Sequence, residues 1–478
     1  MRWIPKAAAG VSCIHGFKSA VICMAIVSLQ SISVSVQGQD VFQQLYSFST
    51  SSSGPQHPAT ILTEGGSGDF YGVTVYGGSN HNSSALGDGT FFKVTKAGAL
   101  TVLFSFNATN GCKPSGGMVF GNDGNLYGVT KNGGTNYQGQ FGASGNFGTA
   151  FKVTTNGGLT SLFSFKGTNG NGPSGPLIFG GGGDFFGTTA SGGAFGLGTV
   201  FKVTSNGNFT LLFSFNGTNG SSPNGKLARA NDGLFYGTTL YGGNNFSGPA
   251  TGKGTVFRIT TNGALNTLVY FNGTNGSAPQ SGLATGSDGN LWGTAGGTIY
   301  QITTSGLLTT ILTFDGTNGS SVFGGLVQGL DGSFYGTTAY RTGSPVNYGT
   351  IYKATMTGAL ITLVFLNGTN GIHPFTDMTL GSDGNFYGAM ADATLANAGG
   401  IYRIFQAPIL TAVQIKGGVK LNWSSFSNGV YRVEYKSSLT DSGWSSLISN
   451  LAATGSTTSY TDTFVNVTSR FYRVGLVP

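Results

Sequence analysis

A long phrase, clearest between residues 211 and 260 as LLFSFNGTNGSSPNGKLARANDGLFYGTTLYGG…GTVFRIT, returns seven times along the chain with drift. Its anchor aromatic falls at Phe48, Phe106, Phe165, Phe215, Phe271 and Phe314, with Leu366 in the seventh copy, so successive anchors lie 58, 59, 50, 56, 43 and 52 residues apart. A period in that range signals a propeller or a solenoid. Each copy holds four short apolar runs, exemplified by GLVQGL (325–330), SFYGTT (333–338), GTIYKAT (349–355) and LITLVFL (360–366). Rich in Tyr, Phe, Val, Ile and Thr and too short for helices, these runs predict strands, here named a to d.

The turns set the pairing. Asp-Gly stands between a and b (Asp123-Gly124, Asp288-Gly289, Asp331-Gly332, Asp383-Gly384), and Asn-Gly between c and d (Asn156-Gly157, Asn206-Gly207, Asn262-Gly263). Both dipeptides supply the positive φ angles of tight hairpins, so a to d form an antiparallel meander. The d-to-a connection NGTNGxxPxG is longer and suits a crossover to the next sheet. At the N-terminus, residues 41–48 read as a strand d with no a, b and c before it, whereas the last copy ends on a strand c at 400–405. Pairing these two segments completes both and removes an open sheet edge. The expected fold is all-β: a seven-bladed β-propeller closed by an N-terminal strand, followed by a small β-sandwich. An open solenoid leaves the half-copy at 41–48 unexplained.

Composition fits. Glycine supplies 84 of 478 residues, far above the usual ~7%, and most sit in the turns. The first 38 residues read as a targeting segment: Arg2, Lys6 and Lys18 precede an apolar run at 20–29, and small residues lead to a cleavage site near Val36-Gln37-Gly38. That run is shorter than the ~20 residues of a membrane span, and Ile22 before Cys23 is too large for a lipoprotein cleavage site. The expected location is secreted or extracytoplasmic, including cell-surface association, with no membrane span in the mature chain. Without that segment only Cys112 remains of three cysteines, which excludes an internal disulfide. The net charge of +7 falls to +4 on losing the three basic residues, which leaves no basic face for nucleic acid.

After residue 405 the pattern stops and 406–408 (QAP) reads as a linker. Strands are expected at 419–423, 430–435, 459–463 and 470–477, with Tyr431, Val433 and Tyr435 on one face and Trp423 in a neighbouring strand. The segment 409–478 resembles a short fibronectin type III-like module. The domain plan is therefore a signal peptide at 1–38, a propeller at 39–405, a linker at 406–408 and the sandwich at 409–478.

The repeated phrase FNGTNG…P…G…DGNFYGTT…GG…GTVFKVT resembles the tandem repeat of the GloVer type, found in exported bacterial proteins of cyanobacteria and Verrucomicrobia that are called choice-of-anchor for their variable C-termini. The resemblance covers about 41–405. It implies an extracytoplasmic repeat protein and carries no catalytic residues with it. The terminal FYRVGLVP lacks the Pro-Glu-Pro motif, apolar helix and basic tail of a sorting signal.

Function is expected on the face that carries the b-to-c and d-to-a loops. The b-to-c loops vary in length, at 75–88, 131–147, 190–197, 240–253, 296, 339–348 and 391–399, and variable loops on a rigid scaffold commonly bind. The short fifth loop implies a notch in the rim. Chemistry has few candidates. Aspartates at the a-to-b turns have a turn role, which leaves Asp40, Glu64, Asp88, Asp315, Asp377 and Asp392. Of these Glu64 and Asp377, each near an inner strand of adjacent blades, are the candidate carboxylate pair for glycoside hydrolysis, with ordinary solvated carboxylates as the plainer reading. His57 and His373, at matching repeat positions, with Asp377 make a candidate two-histidine, one-carboxylate metal site; two unrelated loop histidines are the plainer reading. Strand a contributes Lys226, Arg229 and Gln328 to an otherwise apolar channel. The recurring Tyr71, Tyr127, Tyr236, Trp292, Tyr335 and Tyr387 have blade-to-blade packing as their expected role. No cofactor motif is present, since the glycine run 180–183 lacks the lysine and helix of a phosphate loop. The sequence thus points to a non-enzymatic exported protein that binds a glycan or a protein through its loop face. The alternatives are a carbohydrate-active hydrolase or lyase using Glu64, His57, His373 and Asp377, and a structural envelope component.

Overall fold

The computed structural model describes residues 23–28, 31–33, 42–49, 54–58, 60–80, 86–135, 146–341, 348–368, 371–390, 399–405, 410–415, 418–425, 430–438, 440–455, 457–463 and 469–476. Every regular element among them is a strand, so the chain is all-β. The expected linker at 406–408 and most of the targeting segment lie outside the described residues.

Within each copy of the repeat the four runs pair in sequence order, for example Val327–Gln328, Phe334–Thr338, Thr350–Ala354 and Leu360–Phe365. Six successive copies each build such an antiparallel meander, and in the second Thr60–Ile61 of the first copy adds in parallel to Cys112–Phe120. In the last sheet the outer place is taken by Phe42–Ser47, paired with Gly400–Ile404 from Phe42↔Ile404 to Ser47↔Gly400. The half-copy at the N-terminus therefore completes the unfinished sheet at the other end of the repeats.

Burial explains the repeated residues. Strand b is buried over five successive residues, as in Phe235–Thr239 and, within longer strands, Leu126–Asn132 and Asp184–Ser191, which means that both faces of each sheet are covered there. Its aromatic pair does the covering: Tyr127 stacks on Phe185 (3.9 Å between centroids), Phe186 meets Phe235 (4.4 Å), Trp292 meets Phe334 (4.5 Å) and Tyr335 meets Phe386 (4.2 Å), each pair joining consecutive sheets. The same contact joins the seventh sheet to the first, Tyr387 to Phe70 at 4.2 Å. Burying one such ring is worth about 1.5–3 kcal/mol, with about 0.5–1.5 kcal/mol more from the ring pair. The threonines of GTT and GT meet inside the sheet, with Thr239 and Thr255 hydroxyls 2.8 Å apart and equivalent pairs at Thr74–Thr90, Thr130–Thr149, Thr189–Thr199 and Thr338–Thr350. A hydroxyl buried at these positions is thereby satisfied.

The turn aspartates are held in the same way from sheet to sheet. Asp123 accepts from the backbone N–H of Asn125 and from the Tyr127 hydroxyl (2.8 Å), and Asp232, Asp331 and Asp383 repeat the arrangement with Tyr236, Tyr335 and Tyr387. In the fifth sheet Asp288 accepts from Trp292 Nε1 instead. Burial opposes ionisation of Asp123 and Asp288, but the hydrogen bonds they accept outweigh it and hold both carboxyls below the usual range. Burial and the Asp232 hydrogen bond push the Tyr236 hydroxyl up to about 12.

In the fifth sheet strands b and c are joined by two residues, Gly296 and Gly297, at φ +57° and +81°. This corrects the single residue expected there, because a two-residue hairpin requires positive φ at both positions.

Residues 410–476 form two further sheets. One orders Leu410–Ile415, Gly418–Ser424 and Thr457–Thr463; the other contains Ser469–Leu476, Val430–Lys436 and Ser445–Ala452, with Cys23–Ser28 and Ser31–Ser33 added at the outer side of Ser469–Leu476. They share one core in which Leu421 and Trp423 of the first sheet meet Tyr431, Val433, Tyr472 and Val474 of the second. Trp423 lies across the core from Tyr431 (5.8 Å) and not in a neighbouring strand of the same sheet. Leu410–Ile415 and Ser445–Ala452 are strands the sequence had not disclosed.

Two outcomes follow for stability. Deleting Phe42–Ser47 strips the outer strand from the last sheet and lowers Tm by roughly 10 °C, measured by calorimetry; an unchanged Tm contradicts the pairing. Because the folded-state carboxyls of Asp123 and Asp288 lie below their unfolded value of about 3.9, their contribution is full above that value and is lost as pH falls through the depressed one. Thermal melts should therefore drop as pH falls from about 5 towards about 3, and the double variant Asp123→Asn, Asp288→Asn should lose less over that interval. Identical slopes contradict the role given to these turns.

Candidate functional site

At one end of the sheets the d-to-a and b-to-c segments lie together. Ser221 pairs its backbone with Tyr241, Ser320 with Tyr340, and Lys113 N–H donates to Asp88 O. Each d-to-a segment then turns through one left-handed residue: His57, Lys113, Gly172, Ser222, Ala278, Ser321 and His373, with φ between +45° and +64°. In six of the seven copies proline follows, and valine in the other (Val322). This residue is buried wherever the segment is described. The proline seats on the glycine that opens strand c of the preceding sheet. An added Cβ on Gly254 would stand 2.8 Å from Pro279 Cδ and 2.2 Å from Thr239 O, at a φ of +90°; no other residue fits. Pro58 seats on Gly399 in the same way, so the first sheet meets the seventh as others meet their neighbours.

One residue further on, the chain faces a cavity of about 210 Å3. Ser115, Ser174, Asn224, Gln280, Phe323 and Phe375 all follow the proline, or its valine substitute, directly, all line the cavity and all are half-buried. The position is fixed by the repeat, yet its chemistry changes from segment to segment, from hydroxyls through amides to aromatics. Phe323 and Phe375 meet edge to face at 5.4 Å, backed by Tyr340 and His373. Ser174 Oγ donates to Asn224 Oδ1 at 2.5 Å.

Two residues beyond that position lie Lys226 and Asp377, repeat equivalents from the fourth and seventh sheets. Lys226 Nζ meets Asp377 Oδ2 at 2.8 Å, and Asp377 Oδ1 accepts from Gly325 N–H at 2.5 Å. The Asp377 side chain is only 10% exposed. Glycine at the equivalent positions 282 and 325 makes room, since a Cβ there would meet Lys226 or Asp377. Close by, strand c carries Tyr300, Tyr352 and Tyr402 in the fifth to seventh sheets, where the first four have Phe92, Phe151, Phe201 and Phe257. Their hydroxyls are fully buried and lack a hydrogen-bond partner among the described residues. Burial pushes the Tyr352 and Tyr402 hydroxyls well up, and the Asp377 charge adds to it.

The other candidates from the sequence lie apart from this cavity. Glu64 sits at the opposite end of the inner strand, paired with Lys96 Nζ (2.8 Å) and accepting from Ser382 N–H (2.6 Å) and Oγ (2.7 Å). Asp377 precedes Ser382 by five residues, roughly 15 Å of extended strand, so Glu64 and Asp377 are not brought together. His57 packs edge-on to Tyr76, and His373 among Tyr340, Tyr348 and Phe375. No group of three or more His, Cys, Asp or Glu that could hold a metal occurs among the described residues. The two histidines share a backbone position that Lys, Ser, Ala and Gly fill elsewhere, so their match reflects the turn. Arg229 and Gln328 bond to Gly180 O and to Ser287 at the strand a ends, and Cys112 is buried.

Replacing Lys226 by Met leaves Asp377 buried without its cation and should cost about 1–3 kcal/mol. Adding Asp377→Asn should recover most of that loss in urea unfolding. Additive losses contradict the pairing.

No curated protein matches this sequence. The extracellular domain of a putative hybrid two-component system from B. thetaiotaomicron is similar in fold, with 12% identity over 90% of this chain and 56% of that one, at a TM-score of 0.50. A second extracellular domain of this kind from the same organism gives 10% identity over 94% and 60% at 0.48, and puromycin hydrolase 12% over 79% and 60% at 0.46. The chain spans somewhat over half the length of these structures, and the likeness concerns fold alone. Among the described residues no helix is long and apolar enough to cross a membrane. Residues 139–296 and 247–416 match the Gloeobacter/Verrucomicrobia repeat, and the chain belongs to that family.

Proposed function

We propose that the protein is an exported, non-enzymatic binding protein: a seven-bladed β-propeller at 39–405, closed by its N-terminal strand, carrying a fibronectin type III-like sandwich at 409–478. The signal peptide is 1–38, so Cys23–Ser28 and Ser31–Ser33 belong to the precursor and Ser469–Leu476 becomes an outer strand of the mature sandwich; the mature protein works outside the cytoplasm, including at the cell surface. Its partner is a glycan or a protein, held on the face that bears the b-to-c and d-to-a loops. The observation that carries this reading is the cavity on that face, lined by one variable residue from each of six successive segments. Support for the closed propeller comes from the contacts of first and seventh sheets, Phe70 with Tyr387, Pro58 with Gly399 and Thr379 Oγ1 with Leu62 O. Support for binding over hydrolysis comes from Glu64 and Asp377, whose carboxylates serve separate partners.

The test is a binding screen of residues 39–478 against polysaccharides, envelope glycans and envelope proteins. Replacing the fourth b-to-c loop, 240–253, by the Gly-Gly of the fifth should weaken a hit at least tenfold, while Lys96→Ala on the opposite face should leave it unchanged. A hit lost with Lys96→Ala and kept in the loop variant overturns the assignment of the face.

A further inference from the structure

We propose that the cavity at the mouth of the repeats is a subsite for one ring of an uncharged sugar, with Asp377, Lys226, Asn224 and Gln280 taking its hydroxyls and Phe375 and Phe323 its C–H face. This deepens the loop-face reading and rests on it.

Size limits the ligand first. About 210 Å3 lies below the roughly 300–1,000 Å3 of sites for drug-sized molecules, so a single ring fits and a folded chain does not. The wall has two kinds of surface. Ser115, Ser174, Asn224 and Gln280 give a run of hydroxyls and amides over the second to fifth sheets, and Phe323 and Phe375 give half-buried rings over the sixth and seventh. A pyranose has the same division, an apolar face of C–H groups and an edge of hydroxyls, whereas a peptide strand or an aliphatic chain does not. With Asn224 Oδ1 accepting from Ser174, the Asn224 amide nitrogen remains as a donor.

Charge makes the next selection. Lys226 and Asp377 neutralise each other, so an acidic sugar must compete with Asp377 for the ammonium and an amino sugar with Lys226 for the carboxylate. A neutral diol disturbs neither. The carboxylate has about four acceptor sites and the ammonium three donors, and the contacts among the described residues use two and one. Adjacent hydroxyls of one ring bridge the remainder, donating to Asp377 and accepting from Lys226.

Drift in a surface loop does not explain this pattern. Neighbouring positions in the same segment keep the left-handed turn and the buried residue that follows it, and in five of the segments the proline's seat on glycine, while the residue that faces the cavity changes from sheet to sheet. Two other departures from the repeat fall in the same sector: tyrosine replaces phenylalanine in the fifth to seventh sheets, and the fifth b-to-c loop is cut to Gly296-Gly297.

The test uses residues 39–478 with methyl hexopyranosides of differing stereochemistry and their short oligomers, and methyl glucuronide and glucosamine as charged controls. Binding is read by saturation-transfer NMR and calorimetry. At least one neutral hexoside should bind, more tightly than either charged control, and Phe375→Ala and Gln280→Met should each weaken it tenfold or more. Gln280→Met preserves side-chain volume and Tm, so loss of binding in that variant is not loss of fold. A glycan or protein hit that the 240–253 loop replacement abolishes and both cavity variants keep overturns the sugar subsite and leaves the loop-face reading standing. Binding of charged sugars in preference to neutral ones overturns the ligand class. Absence of any hit in either screen overturns both readings.

Discussion

Everything in the repeats depends on a sheet that is apolar on both faces. A run of five residues in strand b is buried in all seven sheets, and a four-stranded sheet of this kind cannot stand in water alone. Each must be covered by a sheet before and a sheet after. Two devices recur at these joints: an aromatic ring of one strand b, Tyr or Trp and in the third sheet Phe186, against a Phe of the next, and a Pro seated on the Gly that opens strand c. In an open array the first and last sheets would each leave one such face to water. Contact of Phe70 with Tyr387 and of Pro58 with Gly399 covers both faces at once, and Phe42–Ser47 gives the seventh sheet the outer strand that the others have.

Most of the repeated phrase is therefore structural. The aspartate of the DG turn holds the tyrosine four residues on. The threonines of GTT and GT pair inside the sheet, and NGTNG closes a turn in which Asn216 accepts from Thr218 and Asn219 while Asn219 accepts from the Asn216 N–H. Sameness in such positions reports packing. Function has to be sought where the fold fixes the backbone and leaves the side chain free, and the residue after the repeat proline meets both conditions. The left-handed turn and the buried residue after it aim it at the cavity, where hydroxyls, amides and aromatic rings are all accommodated.

Strand order, hairpins and the completing N-terminal strand were legible because alternation and turn dipeptides are local signals. The packing of Tyr127, Tyr236, Trp292, Tyr335 and Tyr387 was legible because they recur in nearly every copy. The cavity was not. Attention to titratable residues singled out Glu64, His57, His373 and Asp377, of which only Asp377 lines it. Phe323, Phe375, Asn224 and Gln280 were missed, although variation at a fixed offset from the proline was there to be read. Lys226 was visible as a channel residue, but its pairing with Asp377 joins sheets four and seven and has no local signature. In the C-terminal module Ser445–Ala452 has the polar sequence SSLISNLA and no clean alternation, and the assignment of Trp423 to the facing sheet depends on connections that strand composition does not encode.

Contact between the first and seventh sheets is the point on which the closed ring stands. It is tested by changing Lys96 and Ser382, whose side chains meet at 3.1 Å across 286 residues of sequence, to cysteine in residues 39–478, and treating the dilute protein with a short bis-maleimide. A closed ring predicts near-complete cross-linking within one chain for the double variant and none for either single variant. Cross-links only between chains, or no cross-link at all, would contradict it.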